Sequence, residues 1–459
     1  FTKLEALIAL DPENLEYRTT AAQLHLQAGD MHWQREDHQQ AEVEFRCALT
    51  ELNYAIEHDS HHPRWVLMYL MLMQRLPELE LSKGRYEKAF ELLSKANVVI
   101  SQAMNKGVHA RKLRQFFVAI NTRLSDCAFD SGKVSIGMEI QKKTLQQATE
   151  YQRERPESMA WLTLLCRIQT HAASHYLKLG MMQESRELWE KVIASLSQKC
   201  ELHPENMEVS DYLVRAQLLK VEWLCQNGEL TQAHELSHSL MTQIRASQKD
   251  LSDDQPRLAM LCECLEHFVC CCHHLNKGEE ELSALKELER IRKAQLQVSP
   301  DSVPLQSRYF DLLSSMGRNA FNNGMMDQGI AYMNKALKGY NDLHEKHHEQ
   351  HQYLQAIGDI LVSLGQAYQK LNNESASQLT LDKALQIANW LSKAGHDSYV
   401  MQLAATKIFF AVSQSNAYEL QKMDLLTMAE NQLRLVQVHL QNPVVNSLMQ
   451  RITAQQRAA

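Results

Sequence analysis

The histidine-rich stretch HEKHHEQH at residues 344–351 has a residue pattern that could bind a metal ion. Its first five residues, from His344 through Glu345 to His348, read HExxH, in which two histidines one helical turn apart hold zinc and the glutamate serves as general base. A zinc protease also needs a third ligand, a substrate cleft and a sheet beside it, and nothing in the sequence supplies a sheet. We therefore interpret the stretch as a solvated junction between two helices. A metal site at His344 and His348, and with it a zinc-dependent hydrolase, is the alternative.

Five of the ten cysteines fall within LCECLEHFVCCC at residues 261–272. Three adjacent cysteines on a helix point in different directions and cannot all pair locally. Their spacing is not that of a zinc finger. We interpret them as free thiols that pack as small apolar groups, which suits a reducing compartment. Because no GxxxxGK[ST], GxSxG or GxGxxG motif occurs either, we predict a chain that is not an enzyme and has no cofactor.

The composition indicates an all-α protein. The 459 residues include 15 glycines and 9 prolines, whereas average usage is roughly 7% and 5%. The net charge is −7, and no run of lysine and arginine is long enough to follow a phosphate backbone. The longest apolar run, WVLMYLMLM at 65–73, is about half of what a bilayer-spanning helix needs. We expect a cytoplasmic chain with no nucleic-acid partner and no membrane insertion.

Turn-forming residues recur along the chain at nearly constant intervals. One series has steps of 48, 48, 48, 50, 46 and 48 and consists of Gly84, Gly132, Gly180, Gly228, Gly278, Gly324 and Asn372. A second series has separations of 144, 48 and 96 and consists of Pro12, Pro156, Pro204 and Pro300. Glycine ends helices in a left-handed cap, and proline suits a first helical turn. Each period therefore predicts two helices of roughly 20 residues, and such pairs must stack to bury their apolar faces.

This periodicity predicts one domain over residues 1–459. We expect residues 1–11 to end a preceding helix B and residues 444–459 to form a C-terminal capping helix. We expect repeats to start near residues 12, 61, 108, 156, 204, 254, 300, 348 and 396. The chain opens with Phe1 rather than methionine, so we expect it to be a piece of a longer protein.

The repeats resemble the tetratricopeptide repeat. In SKGRYEKAFELLSKA, Gly84, Ala89 and Leu93 match the turn glycine and the small and large positions of that family. In SLGQAYQKLNN, Gly365 and Tyr368 match the small and aromatic positions of its first helix. The resemblance implies a right-handed superhelical α-solenoid of about nine stacked helix-turn-helix repeats. The unit of 48 residues exceeds the usual 34 or so, and we attribute the difference to longer helices.

The resemblance also implies a function. Helix A of each repeat would line a concave surface that binds a protein or peptide ligand. The family's positions on that surface correspond here to Asp30, Trp33, Gln74, Thr122, Asp126, Ser174, Lys178, Glu222, Gln226, Asn276, Arg318, Asn322, Gln366 and Lys370. Long units that open with LDPEN resemble the tetratricopeptide tails of bacterial signalling proteins such as serine/threonine kinases. We therefore predict a non-enzymatic recognition or sensor segment of such a protein, and a stand-alone scaffold or adaptor is the alternative.

Overall fold

A computed structural model describes most of the chain, with short gaps at several turns. The described residues are 2–34, 37–59, 62–82, 85–106, 110–130, 133–246, 255–300, 302–347, 352–394, 399–437 and 443–458. Within these ranges every regular element is a helix, which confirms the predicted all-α class. The chain divides into two compact units, residues 1–168 and 169–459, and the division falls within the eighth helix. The prediction of a single domain with nine repeat starts stays a prediction.

Both units consist of consecutive helices that pack against their neighbours in the chain. The first unit contains α1 (Thr2–Leu10), α2 (Leu15–Gln34), α3 (His38–His58), α4 (Pro63–Ser82), α5 (Tyr86–Asn105), α6 (Ala110–Asp130), α7 (Val134–Glu154) and the start of α8 (Met159–Lys178). The second unit continues with α9 (Met182–Leu202), α10 (Met207–Gln226), α11 (Leu230–Ala246), α12 (Gln255–His274), α13 (Gly278–Val298), α14 (Val303–Asn322) and α15 (Met326–Lys346). It ends with α16 (Gln352–Lys370), α17 (Glu374–Ala394), α18 (Tyr399–Ser413), a 3-10 helix (Asn416–Gln421), α19 (Lys422–Gln437) and α20 (Pro443–Ala458).

In the described part of the chain, five turns between the helices of a pair contain a residue in the left-handed region, and these residues lie one period of 48 apart. They are Gly180, Gly228, Asn276, Gly324 and Asn372, with φ of 78°, 82°, 57°, 77° and 55°. At the α14–α15 turn, the Gly324 N–H donates to the Phe321 carbonyl at 3.2 Å and the Met325 N–H to the Ala320 carbonyl at 2.9 Å. These two bonds form a Schellman cap, which satisfies carbonyls that the helix end leaves without partners.

One predicted turn residue was wrong. Gly278 is the first residue of α13, and the left-handed residue of that turn is Asn276. Asparagine tolerates this conformation better than other residues with a side chain, so the turn does not need the glycine. Gly84 and Gly132 lie outside the described residues.

Small residues allow the two helices of a pair to approach closely. A Cβ on Gly365 of α16 would lie 2.5 Å from Leu381 Cδ2 of α17, and a Cβ on Gly317 of α14 would lie 2.8 Å from Met333 Cγ of α15. On the α17 side, the buried Ser377 hydroxyl donates to the Gly365 carbonyl at 2.9 Å. The hydroxyl is therefore paired despite its burial, and the small side chain still permits the close crossing.

The apolar core of each unit lies between successive helix pairs. In the first unit it includes Phe45, Leu52 and Leu93, and in the second unit Leu381 and Phe409, all of which are almost completely inaccessible to solvent. The first helices of neighbouring pairs, which we call A helices, also touch one another, since α10 contacts α12, α14 contacts α16 and α16 contacts α18. Among the described residues, no two second helices of neighbouring pairs, the B helices, pack as closely. None of the described helices is both long and apolar enough to cross a membrane.

Candidate partner-binding surface

A row of charged residues crosses the A helices of the second unit. Arg215 on α10, Glu263 on α12, Asp311 on α14, Asp359 on α16 and Lys407 on α18 are each 48 residues from the next. We call these five residues the charged column. The repeat places them at the same position of successive A helices. Three carboxylates therefore lie on consecutive A helices, with Arg215 on the A helix before them and Lys407 on the A helix after them.

The carboxylates of the column are accessible to solvent but largely surrounded by protein. Glu263 and Asp311 are exposed and Asp359 is half-buried. Burial nevertheless raises the pKa of all three, because desolvation disfavours the charged form. Arg215 opposes this effect at Glu263, and Lys407 opposes it at Asp359. Asp311 in turn raises the pKa of Asp359, so the column has a partly compensated excess of negative charge at its centre.

A polar cavity of about 410 Å³ lies between α14 and α16, where two of these carboxylates meet. Asp311, Asp359 and Arg318 line it together with Ser314, Tyr340 and Tyr353. The Tyr340 hydroxyl donates to Asp311 Oδ1 at 2.5 Å, and the Arg318 guanidinium donates to Ser314 Oγ at 3.1 Å. The cavity thus contains two carboxylates and one guanidinium. This excess of acceptors suits a ligand group that is cationic and rich in hydrogen-bond donors.

A larger cavity of about 580 Å³ lies among α15, α16 and α17 and is mainly apolar. His344, in the last turn of α15, is part of its lining. Helix α15 ends at Lys346, and His347 is non-helical with φ −133° and ψ 60°. His348 lies outside the described residues. The helix that an HExxH zinc site requires therefore does not continue through His347.

In the first unit, the predicted surface residues lie on A helices and are tied into local networks. The Arg75 side chain joins two of them, because its Nε donates to Asp30 Oδ1 at 3.1 Å and its guanidinium lies 5.9 Å from the Trp33 ring centroid. Gln74 offers its backbone carbonyl to Arg123 at 2.8 Å. The remaining two, Thr122 and Asp126, lie on α6. The structure thus brings Asp30 and Trp33 together through Arg75.

In the second unit, the predicted residues lie near the C-terminal ends of A helices. Ser174 and Lys178 lie on α8, Glu222 and Gln226 on α10, Arg318 and Asn322 on α14, and Gln366 and Lys370 on α16. Burial raises the pKa of Glu222, and Lys178 opposes that shift, which places these two charges within each other's influence. Asn276 differs from the others because it is the left-handed turn residue after α12 rather than part of an A helix. Their role as a peptide-binding surface stays a prediction.

The sequence prediction missed the acidic part of the charged column. The signal was available, because reading the chain in steps of 48 from Glu263 gives Asp311 and then Asp359. The three carboxylates lie seven residues, or about two helical turns, before positions 270, 318 and 366. Arg318 and Gln366 are predicted surface residues, and position 270 lies one period of 48 before Arg318. The column therefore extends the candidate surface toward the N-terminal halves of the A helices.

The cysteine-rich helix α12 contains free thiols, like the rest of the described chain. Cys262, Cys264, Cys271 and Cys272 are buried, and the Cys271 sulfur lies 3.5 Å from the sulfur of Cys225 on α10. Their packing into the core agrees with the interpretation as small apolar groups.

One side-chain cluster has ligand atoms close enough to hold a metal ion. His234 on α11, Cys272 on α12 and Glu280 on α13 place a ring nitrogen, a sulfur and a carboxylate oxygen within 4.8 Å of one another. The intervals of 38 and 8 residues between them match no metal-binding sequence motif. Only the packing of three helices brings them together.

Comparison with known proteins identifies one repeat. The family model described as tetratricopeptide repeat matches residues 358–389, which cover most of α16 and most of α17. No curated protein matches the sequence.

Several solved structures are similar at low identity. The Rap protein complexed with competence and sporulation factor is 11% identical over 86% of this chain and 99% of that chain, with a TM-score of 0.45. BtubC from P. vanneervenii is 14% identical over 55% of this chain and 89% of that chain, with a TM-score of 0.43. Yeast Tom70 is 10% identical over 95% and 96% of the two chains, with a TM-score of 0.29. At these values the similarities carry no functional argument. Residues 358–389 are thus similar to one tetratricopeptide repeat.

Proposed function

We propose that this chain is a non-enzymatic protein-recognition segment, and that the A helices of its second unit hold an extended peptide of a partner protein. We further propose that basic side chains of the peptide lie against the acidic centre of the charged column. The observation that carries this proposal is the recurrence of Glu263, Asp311 and Asp359 at one position of three successive A helices.

The charge and the solvent accessibility of the charged column support it as the surface that contacts the peptide. The three carboxylates are solvent-accessible, so a ligand can reach them. They are also partly desolvated, which raises their pKa values. An approaching ammonium or guanidinium group would relieve that cost, and hydrogen bonds between charged groups are among the strongest in proteins. Arg318 and Gln366, exposed on the same helices, would then be available to the carbonyls and amides of the peptide backbone.

The spacing of the helices predicts the pattern of the peptide. Packed helices lie roughly 8–10 Å apart, and an extended chain advances roughly 3.3 Å per residue. Successive A helices would therefore meet about every third residue of the peptide. We expect a ligand with lysine or arginine at positions i, i+3 and i+6.

Binding of such a peptide tests the proposal directly. A labelled peptide with arginines at that spacing is titrated with the full chain and with the double variant Asp311→Asn/Asp359→Asn, and fluorescence anisotropy is measured. Loss of two charged hydrogen bonds, each worth about 1.5–3 kcal/mol, predicts an affinity that is lower by roughly a hundredfold or more. The control Asp342→Asn removes an exposed carboxylate from α15, which is a B helix, and should leave the affinity unchanged. Equal effects of the two changes, or no effect of either, would contradict the proposal.

The parent protein is a separate part of the proposal. We propose that the segment belongs to a larger bacterial signalling protein, on the basis of the long repeat unit and the LDPEN opening. The reading frame upstream of Phe1 tests this, since a kinase or nucleotide-binding switch domain there would support a sensor role. A frame that encodes repeats alone would favour a scaffold or adaptor.

A further inference from the structure

The histidine–cysteine–glutamate cluster lies where three helices of the second unit meet. His234 of α11 and Cys272 of α12 are buried, and Cys272 is completely inaccessible to solvent. Glu280 of α13 is half-exposed, and its Oε2 lies 2.8 Å from His234 Nε2. The His234 ring stacks on Phe268 with ring centroids 4.6 Å apart. The imidazole is therefore oriented by packing, with its Nε2 directed toward the carboxylate.

A cation already approaches this point from within the chain. Lys277 Nζ lies 3.2 Å from Glu280 Oε1 and 3.3 Å from His234 Nε2. When Lys277 donates to Nε2, that nitrogen must be an acceptor, and it then faces a carboxylate oxygen at 2.8 Å without a proton of its own. Two acceptors at this separation repel each other unless a positive charge lies beside both. The position thus favours a cation, and the lysine supplies one.

We propose that His234, Cys272 and Glu280 form a binding site for Zn²⁺, in which the metal ion displaces the Lys277 ammonium. The ligand set determines the class of metal. The Cys272 thiol would release its proton to solvent as the ion binds. A thiolate and an imidazole favour zinc over magnesium or calcium, which prefer oxygen ligands. Three protein ligands would leave a fourth tetrahedral position, on the side where Glu280 is open to solvent.

The distances require only small movements. Zinc binds nitrogen and oxygen at about 2.0–2.1 Å and sulfur at about 2.3 Å, so tetrahedral ligand atoms lie roughly 3.3–3.6 Å apart. His234 Nε2 and Glu280 Oε2 lie 2.8 Å apart, and all three ligand atoms lie within 4.8 Å of one another. The Glu280 side chain is exposed enough to move outward by the necessary fraction of an ångström.

Bound zinc would link α11, α12 and α13 through one ion. A ligand that binds the folded state alone stabilises it by RT ln(1 + L/Kd), where L is the free ligand concentration. The ion would therefore stabilise the packing of α11, α12 and α13 against one another. This inference does not depend on peptide binding, because none of the three ligands belongs to the charged column.

Cobalt substitution in the full chain tests the site. The metal-free protein is titrated with Co²⁺, and we expect a thiolate-to-cobalt charge-transfer absorption with tetrahedral d–d bands that saturate at one equivalent. Zn²⁺ should then remove both signals by displacement. Cys272→Ser should abolish the charge-transfer absorption and weaken Zn²⁺ binding roughly tenfold or more. Glu280→Gln, on the exposed side where folding is least affected, should weaken binding as well.

Two further variants separate this site from other thiols and histidines. The double variant Cys225→Ser/Cys271→Ser removes the neighbouring sulfur pair and should keep the cobalt signals. Lys277→Met removes the internal competitor and should bind Zn²⁺ more tightly than the parent chain, a gain that a purely structural role of the cluster would not produce. The proposal is overturned if the parent chain shows no charge-transfer absorption, or if the absorption survives Cys272→Ser. Weaker binding by Lys277→Met would also overturn the role assigned to that lysine.

Discussion

Gly324 offers a direct test of the turn that joins the helices of each pair. It adopts φ +77°, and a Cβ built there would meet no atom within 4 Å. A side chain at this position therefore causes no clash, and its cost comes from the backbone alone. The left-handed conformation costs an L-residue about 1–2 kcal/mol. We expect Gly324→Val to reach at least this range, because β-branched residues tolerate positive φ least.

The chain itself supplies the matched control. Asn276 and Asn372 occupy the equivalent turns of the neighbouring repeats with φ of 57° and 55°. Gly324→Asn should therefore keep both cap hydrogen bonds and cost less than about 0.5 kcal/mol, since asparagine visits this conformation routinely. The two variants differ in backbone tolerance at one site and in no packing contact of the parent structure.

Urea unfolding followed by circular dichroism gives the change in the free energy of unfolding. Native-state hydrogen exchange locates it, because the Met325 N–H is held by the Ala320 carbonyl of the cap. A loss of about 1–2 kcal/mol corresponds to a roughly 5- to 30-fold larger population of the open state, and so to faster exchange in Gly324→Val. Equal destabilisation by valine and asparagine would refute the conformational argument. Unchanged stability in both would refute the cap.

Three other outcomes follow from single contacts. Leu381→Ala should destabilise the second unit by about 2–5 kcal/mol through a cavity, whereas Leu379→Ala on the same helix, 59% exposed, should stay within about 0.5 kcal/mol in urea unfolding. Burial raises the folded-state pKa of Asp359, so its ionisation costs stability at neutral pH. Asp359→Asn should therefore raise the urea midpoint at pH 7, and this gain should shrink as the pH falls toward about 4. Hydrogen peroxide should oxidise Cys225 and Cys271, whose sulfurs lie 3.5 Å apart, to a disulfide while it is reduced to water. Mass spectrometry should find the loss of two hydrogens in the peptide pair, and a chain without this loss would contradict the register of α10 and α12.

The regular spacing of turn residues explains why the helix pairs could be predicted from sequence. Gly180, Gly228 and Gly324 act locally, because a left-handed cap is a property of one residue and its two hydrogen bonds. The wrong prediction of Gly278 as the turn residue also follows from the local nature of this cap. Two residue types can fill such a cap, and sequence inspection preferred the glycine over Asn276 although only the asparagine kept the period at 48.

The sequence by itself therefore determined the helical class, the period and the close crossing at residues such as Gly365. All of these depend on interactions within one hairpin or on a pattern that repeats along the chain. The tertiary structure alone decided which charges face one another across α14 and α16, and that His234, Cys272 and Glu280 converge. His234, Cys272 and Glu280 lie on different helices at intervals that match no motif, so their proximity is set by the rotation and tilt of each helix. Helix rotation depends on the packing of many side chains at once, and no local stretch of sequence encodes it.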